Sequence, residues 1–274
     1  MIFSPLVLYA LIAAIAASIV SGVIGSYVVV KRIAFISGSI AHSVLGGMGF
    51  CLWLERSRSV TWISPIHGAL VAALLSAMII GWVRLRYRER EDSIIACVWS
   101  VGMATGIIFI SQTPGFNVEL TNYLIGNILW VSTKDLIVLV TLNIVVLTIV
   151  FCLHNKLLAL SFDEEHAKLQ GIQTDKLYFL LLALIAITVV LLVQVVGIVL
   201  VITMLTIPPA IANLISGRLS HIMILAAILN IFFCISGIII AYGLDWPTGG
   251  TIALLTGVTY LLMTAVRHSK KTMT

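Results

Sequence analysis

The chain has 274 residues, of which 61% are hydrophobic and only 10% charged. Soluble domains carry about a quarter charged residues, so a water-soluble globular fold is excluded. The formal net charge of +5 invites a nucleic-acid partner only until the charges are placed, because they flank apolar runs instead of forming a basic stripe.

Runs such as Phe179 to Ile202 and Ile222 to Ala241 approach the roughly 20 residues needed to cross a bilayer. They lack the alternation of polar and apolar residues that a porin-like barrel would show. The expected fold is an all-α polytopic membrane protein with a single transmembrane domain over 1–274.

The first apolar stretch, from Leu6 to about Val30, has no basic residue before it and is too long for a cleavable signal. It is expected to be a retained membrane helix. Crossings follow at about 33–54, 61–83, 93–112, 135–153, 177–200, 202–216, 222–243 and 249–266, making about nine with the first at 6–30. The seventh is short and contains Pro208-Pro209, which predicts a tilted or broken helix tucked inside the bundle. Residues 113–134 are too polar for a further crossing and read as an outer loop with a short interfacial helix. Cys51, Cys97, Cys152 and Cys234 have no close spacing and read as small apolar fillers.

The basic residues orient these crossings. Lys31, Arg32, Arg84, Arg86, Arg88, Arg90, Lys156, Lys168, Lys176, Arg218, Arg267, Lys270 and Lys271 fall on one set of alternate loops, and Arg56, Arg58 and Lys134 on the other. The positive-inside bias then places the N-terminus outside and the C-terminus in the cytoplasm. On the cytoplasmic side the largest polar interval is 154–176. Ser161 and Glu164 have capping-box spacing and Gly171 is placed to stop a helix, which predicts about two turns over 161–170. This element is either a solvated connector or a docking element for a cytoplasmic partner, and its length exceeds that of an ordinary bundle loop.

One imidazole lies inside the second crossing, in the run Gly38-Ser39-Ile40-Ala41-His42-Ser43. Counted from Ile33, nine residues of rise give roughly 14 Å, close to the middle of a hydrocarbon layer about 30 Å thick. Gly38 shares its face at i,i+4 spacing. Two readings stay open: a structural histidine hydrogen-bonded to a neighbouring helix, or a neutral imidazole offering nitrogen to zinc, manganese or ferrous iron. One imidazole is too few for a tight metal site, so no resident cofactor is expected, and high-affinity recognition falls to another subunit. Gln194 either lines a path or hydrogen-bonds its neighbours, as do Asn213 and Asn230. His67, His166 and His221 read as interfacial or solvated, Met48, Met103 and Met204 as packing, and Asp245 as an outer-turn carboxylate.

There is no GxxxxGK[ST] phosphate loop and no acidic residue inside a crossing, so the chain is not expected to hydrolyse ATP by that route or to relay protons. A passive channel, a carrier, the membrane half of a pump and a non-transporting scaffold remain, and the isolated surface helix favours the pump.

Six segments in order strengthen that reading: GSYVVVKRIAFISGSIAHSVLGG from Gly25, EDSIIACVWSVGMATGIIFIS from Glu91, NYLIGNILWVSTKDL from Asn122, SFDEEHAKLQGI from Ser161, VGIVLVITMLTIPPAIANLIS from Val196 and YGLDWPTGGTIAL from Tyr242. Together they resemble the permease subunit of the ABC-type zinc/manganese/iron uptake family over nearly the whole chain. The resemblance implies a type II-like ABC importer permease bundle in the bacterial cytoplasmic membrane. It also implies a second permease copy or a paralogue, a cytoplasmic ATPase dimer that hydrolyses the ATP, and an extracytoplasmic metal-binding protein. By the same resemblance His42 matches the family's pathway histidine, with Gly38, Ser39 and Gln194 as candidates for the lining, and Phe162, Asp163, Ala167 and Gly171 fall in the region that seats on the ATPase. Gly38 departs from manganese-type members, which often carry Asp four residues before the histidine. The departure removes a hard oxygen ligand and leaves the choice of metal open.

Overall fold

The structure is a computed structural model that describes residues 5–58, 62–87, 91–114, 126, 128 and 131–272. These build α1 (Pro5–Val30), α2 (Ala34–Arg58), α3 (Pro65–Tyr87), α4 (Glu91–Ser111), α5 (Thr133–Cys152), α6 (His154–Phe162), α7 (Glu164–Leu169), α8 (Thr174–Val196), α9 (Ile198–Ile215), α10 (Leu219–Leu244) and α11 (Thr248–Thr272). Among the described residues, nine helices are long and apolar enough to cross a membrane. Helices satisfy every backbone polar group within the segment, which lipid demands. Most of the expected outer loop at 113–134 lies outside the described residues, as do Arg88 and Arg90.

Two packing groups share a central helix. In one, α2 lies between α3 and α4; in the other, α1 packs on α9 and α10. Between them α8, apolar on all sides, touches α1, α2, α3, α5 and α9, as a helix at the centre of a bundle should. The turn after α1, the last turn of α3 and the turn between α9 and α10 meet at one end, where a cleft is lined by Lys31, Arg32, Arg84, Glu164 and Gly217, and Arg267 donates to the Leu214 carbonyl at 3.1 Å. This is the basic end of the bundle.

Small residues explain how closely α2 approaches its neighbours. A Cβ on Gly106 of α4 would stand 2.6 Å from the Leu45 carbonyl oxygen, and one on Gly49 would stand 2.7 Å from the Gly106 oxygen. Across the other face, Gly47 meets Gly68 of α3, and a Cβ on either would run into the other's carbonyl. Glycines therefore bring the backbones together where the hydrophobic effect alone would not drive association. Hydroxyls stitch the same seams: Ser39 donates to the Ile95 carbonyl at 2.9 Å and Ser76 to the Ser43 hydroxyl at 2.7 Å.

Several boundaries differ from the sequence expectation. The sixth crossing was expected to run to 200, but α8 ends at Val196 and the chain breaks at Gly197, whose φ of 79° and ψ of 162° belong to a region only glycine enters without strain. Gly126, at φ 70°, lies against this break. The next helix starts at Ile198, not 202, and stays continuous through Pro208 and Pro209. Proline lacks an N–H and leaves the carbonyl four residues back unpaired. Here the Met204 carbonyl accepts from the Asn230 amide of α10 at 3.2 Å, and the Leu205 carbonyl lies against Gly25 of α1. A tertiary neighbour thus takes over the bond that Pro208 removes.

Because Gly106 has no room for a methyl group, Gly106→Ala is expected to destabilise the bundle by about 1–3 kcal/mol through overpacking. The unfolding midpoint of the purified protein in detergent would fall. Gly257→Ala in α11, with no atom within 4 Å of the added methyl, should stay within about 0.5 kcal/mol of the parent.

Candidate functional site

His42 is held by the α2–α4 seam. Its ring stacks on Trp99 of α4 with centroids 4.2 Å apart and planes 12° from parallel. The Trp99 indole N–H points to the Met103 sulfur at 3.2 Å, so the indole is fixed along its own helix while one face supports the imidazole. Among the described residues, Nδ1 of His42 is buried and has no hydrogen-bond partner. A neighbour-bonded structural histidine would pair that nitrogen, since burying a polar atom unpaired costs free energy. An unprotonated imidazole nitrogen is also a lone-pair donor suited to zinc, manganese or iron.

Gly38 lies one turn before His42. The nearest atom to a Cβ there would be Cζ3 of Trp99 at 3.9 Å, an ordinary contact, so packing does not require glycine at this position. Ser39 is fully buried, its hydroxyl bonded to the α4 backbone. Gln194 is elsewhere. Its amide donates to Oδ1 of Asp135 at 2.7 Å, joining α8 to the capping box that Ser132 and Asp135 form at the start of α5. Together with Met48, Ser64, Pro65 and Ile66 it lines a cavity of about 150 Å³, and His42 is not in that lining. The structure therefore brings His42, Gly38 and Ser39 onto one helix beside Trp99 and leaves Gln194 apart. No group of three or more His, Cys, Asp or Glu side chains converges among the described residues.

Sequence reasoning missed Trp99, and also the aromatic cluster further along the same seam. There Phe109 meets Phe50 at 5.1 Å and Trp53 at 5.7 Å between ring centroids. The available signal was Trp99 itself, the one indole in the fourth crossing.

At the basic end, two helices stand where one was expected. α6 continues from α5 after Leu153, and α7 follows a one-residue break at Asp163. Ser161 does not cap. Its hydroxyl donates back to the Leu157 carbonyl at 2.7 Å, while the Asp163 carboxylate accepts the His166 N–H at 2.8 Å. Asp163 has extended φ/ψ of −147° and 96°, as an N-cap requires; Ser161 is already inside α6. Gly171 ends the element at φ 80° as expected. Ala167 is fully buried, whereas Phe162 is 60% and Leu169 86% exposed, so the excursion is pinned from beneath and presents apolar side chains outward.

A helical bundle with nine apolar spans among the described residues, an imidazole inside the second of them and a capped helical excursion at one end is the architecture of a transporter's membrane subunit. The ABC 3 transport family matches residues 4–267, and the chain belongs to that family. It is 48% identical over 268 residues to the "Probable metal transport system membrane protein" of Chlamydia trachomatis serovar D, covering 98% of this chain and 91% of the relative. It is 33% identical over 253 residues to the manganese transport system membrane protein MntC of Halalkalibacterium halodurans, covering 92% of this chain and 84% of that one. Among solved structures, PsaBC from Streptococcus pneumoniae in complex with Fab superposes with a TM-score of 0.83 at 28% identity, covering 95% of this chain and 91% of that chain. The structure described as "An inward-facing conformation of a putative metal-chelate type ABC transporter" shares the fold, with a TM-score of 0.71 at 16% identity, over 94% of this chain and 85% of its own.

α7 is too short to hold itself together, so its cap carries much of its local order. Asp163→Ala should cost about 0.5–2 kcal/mol there, accelerating amide hydrogen exchange across 164–169 by roughly 2- to 30-fold. Exchange in α8 should stay unchanged.

Proposed function

We propose that this chain carries a divalent transition-metal ion inward across the bacterial cytoplasmic membrane, with His42 as a transient contact midway. It is the permease subunit of a metal-ion ABC importer, and a separate ATPase hydrolyses the ATP. The observation that carries the reading is the buried, unpartnered Nδ1 of His42 beside Trp99. One imidazole, without a carboxylate next to it, attracts an ion and still lets it leave, which a carrier requires and a storage site does not. The metal and manganese transport named for its relatives supports this cargo class.

The remaining parts follow from chemistry and charge. With the basic end in the cytoplasm, the N-terminus lies outside and the C-terminus inside, and α6–α7 faces the ATPase dimer. Phe162, the last residue of α6, offers the apolar contact, while Asp163 caps α7, Ala167 anchors it and Gly171 follows its end. A second permease copy or a paralogue completes the path, and an extracytoplasmic binding protein delivers the ion. A passive channel would need no such excursion, and a scaffold would need no unpaired imidazole in mid-span.

Uptake into vesicles containing the reconstituted complex tests the reading, with zinc, manganese and ferrous iron compared under matched conditions. His42→Ala should slow uptake at least about tenfold, roughly 1.4 kcal/mol at the barrier, while the complex still assembles and hydrolyses ATP. Unchanged uptake, or loss of assembly with normal folding, would point to a scaffold. Uptake that persists without ATP would point to a channel.

Two further substitutions separate the parts. Phe162→Asp should release the ATPase on affinity purification or uncouple hydrolysis from uptake. Gly38→Asp adds a hard oxygen one turn from His42 in space that accepts it, and competition uptake should shift towards manganese relative to zinc.

A further inference from the structure

We infer that Glu164 is the joint through which the α6–α7 excursion pulls on the membrane helices. The inference rests on the reading that this excursion seats on an ATPase, and it names residues outside the docking face itself.

Glu164 opens α7 and meets two cations from different membrane helices. Its Oε2 lies 3.1 Å from Nζ of Lys31, just past the end of α1, and 3.8 Å from Nη2 of Arg84, in the last turn of α3. Lys31 also donates to the Leu160 carbonyl of α6 at 2.8 Å, and its side chain is only 6% exposed. Both cations lie over the ring of Tyr178 in α8, Lys31 at 5.6 Å and Arg84 at 4.3 Å from its centroid, and Tyr178 is buried. One carboxylate thus gathers α1, α3, α6, α7 and the first turns of α8. An acid in the first turn of α7 could serve the helix dipole alone, but that would not explain a lysine buried beside it.

The physical difference from ordinary packing lies in the direction of force. Apolar surfaces resist compression but slide and part readily. A cation–carboxylate pair with its lysine 6% and its glutamate 29% exposed resists separation, because pulling it apart gives up Coulomb attraction that apolar contacts lack. The joint is not packed solid: a cleft of about 530 Å³ opens beside it, lined by Lys31, Arg84, Phe162, Glu164, Asn213 and Gly217. Motion applied to α7 is therefore passed to α1 and α3 under tension as well as compression.

The route from Lys31 to His42 is short. Lys31 N–H bonds to the Tyr27 carbonyl, Arg32 N–H to Val29, and Ile33 N–H to Val28, with Arg32 held at φ 59°. This tight turn leads directly into α2 at Ala34. A displacement of Lys31 reaches the helix that carries His42 without crossing a flexible loop.

The test compares Glu164→Gln with its parent in the complete complex, measuring assembly, ATP hydrolysis and ions imported per ATP. The variant should assemble and hydrolyse ATP at near the parental rate, yet import roughly tenfold fewer ions per ATP. Glu164→Asp should recover most of the loss. Normal coupling in Glu164→Gln would overturn the inference. If Glu164→Gln fails to assemble, Arg84→Gln decides: lowered coupling supports the joint, and normal coupling leaves Glu164 a fold-maintaining residue and overturns it.

A second readout needs no cargo. Spin labels at Leu75 of α3 and Val258 of α11, both exposed, should change separation when ATP and vanadate trap the complex, and this change should vanish in Glu164→Gln. Persistence of the change in the variant, or its absence in the parent, would overturn the inference. A parent that moves its labels but imports none of the three metals would instead count against the proposed cargo alone.

Discussion

Close backbone approach along α2 is the constraint on which the rest of the bundle depends. Lipid offers no hydrophobic reward for bringing two apolar helices together, so contact must come from shape and from polar stitching. The Gly47–Gly68 contact with α3 and the Gly49–Gly106 contact with α4 supply the shape. Ser39 and Ser43 supply the stitching. With α2 wedged between two neighbours at this range, Trp99 has one place to stand against His42. The position of the imidazole is thus a product of glycines that never touch it.

Much of the fold was legible in the residues, for a clear physical reason. A membrane span must be long, apolar and helical, and each of these requirements leaves a mark in one sequence. Lys31, Arg32 and Arg84, expected on one side from their place beside the spans, do gather in one cleft at one end. The boundaries that moved were those set by tertiary partners. Gly197 looked like one more small residue in an apolar run, and only its φ and ψ, with Gly126 set against it, show why α8 stops there. Ser161 and Asp163 compete for the same role within two positions. The outcome depended on α6 extending far enough to absorb Ser161, which spacing could not foretell.

The site was legible in part. His42 stood out because an ionisable group in mid-membrane is costly and rarely idle. Gln194 stood out for a similar reason, yet its amide is engaged by Asp135 at the start of α5. Sequence order gives no means of telling an amide that joins two helices from one that lines a path. Trp99 escaped notice because an aromatic residue in a crossing is unexceptional until its neighbour is known.

The two prolines of α9 carry an implication of a different kind. Pro208 and Asn230 lie on separate helices, but they form one unit: the ring removes a donor and the amide restores it at the Met204 carbonyl. A chimera that borrowed α9 from a relative and kept a non-donating residue at position 230 would strand a bare carbonyl in the bilayer. A chimera that borrowed α10 alone would bring a donor left with the Ser21 hydroxyl of α1 as its partner. Moving α9 and α10 together keeps the Pro208–Asn230 pairing intact.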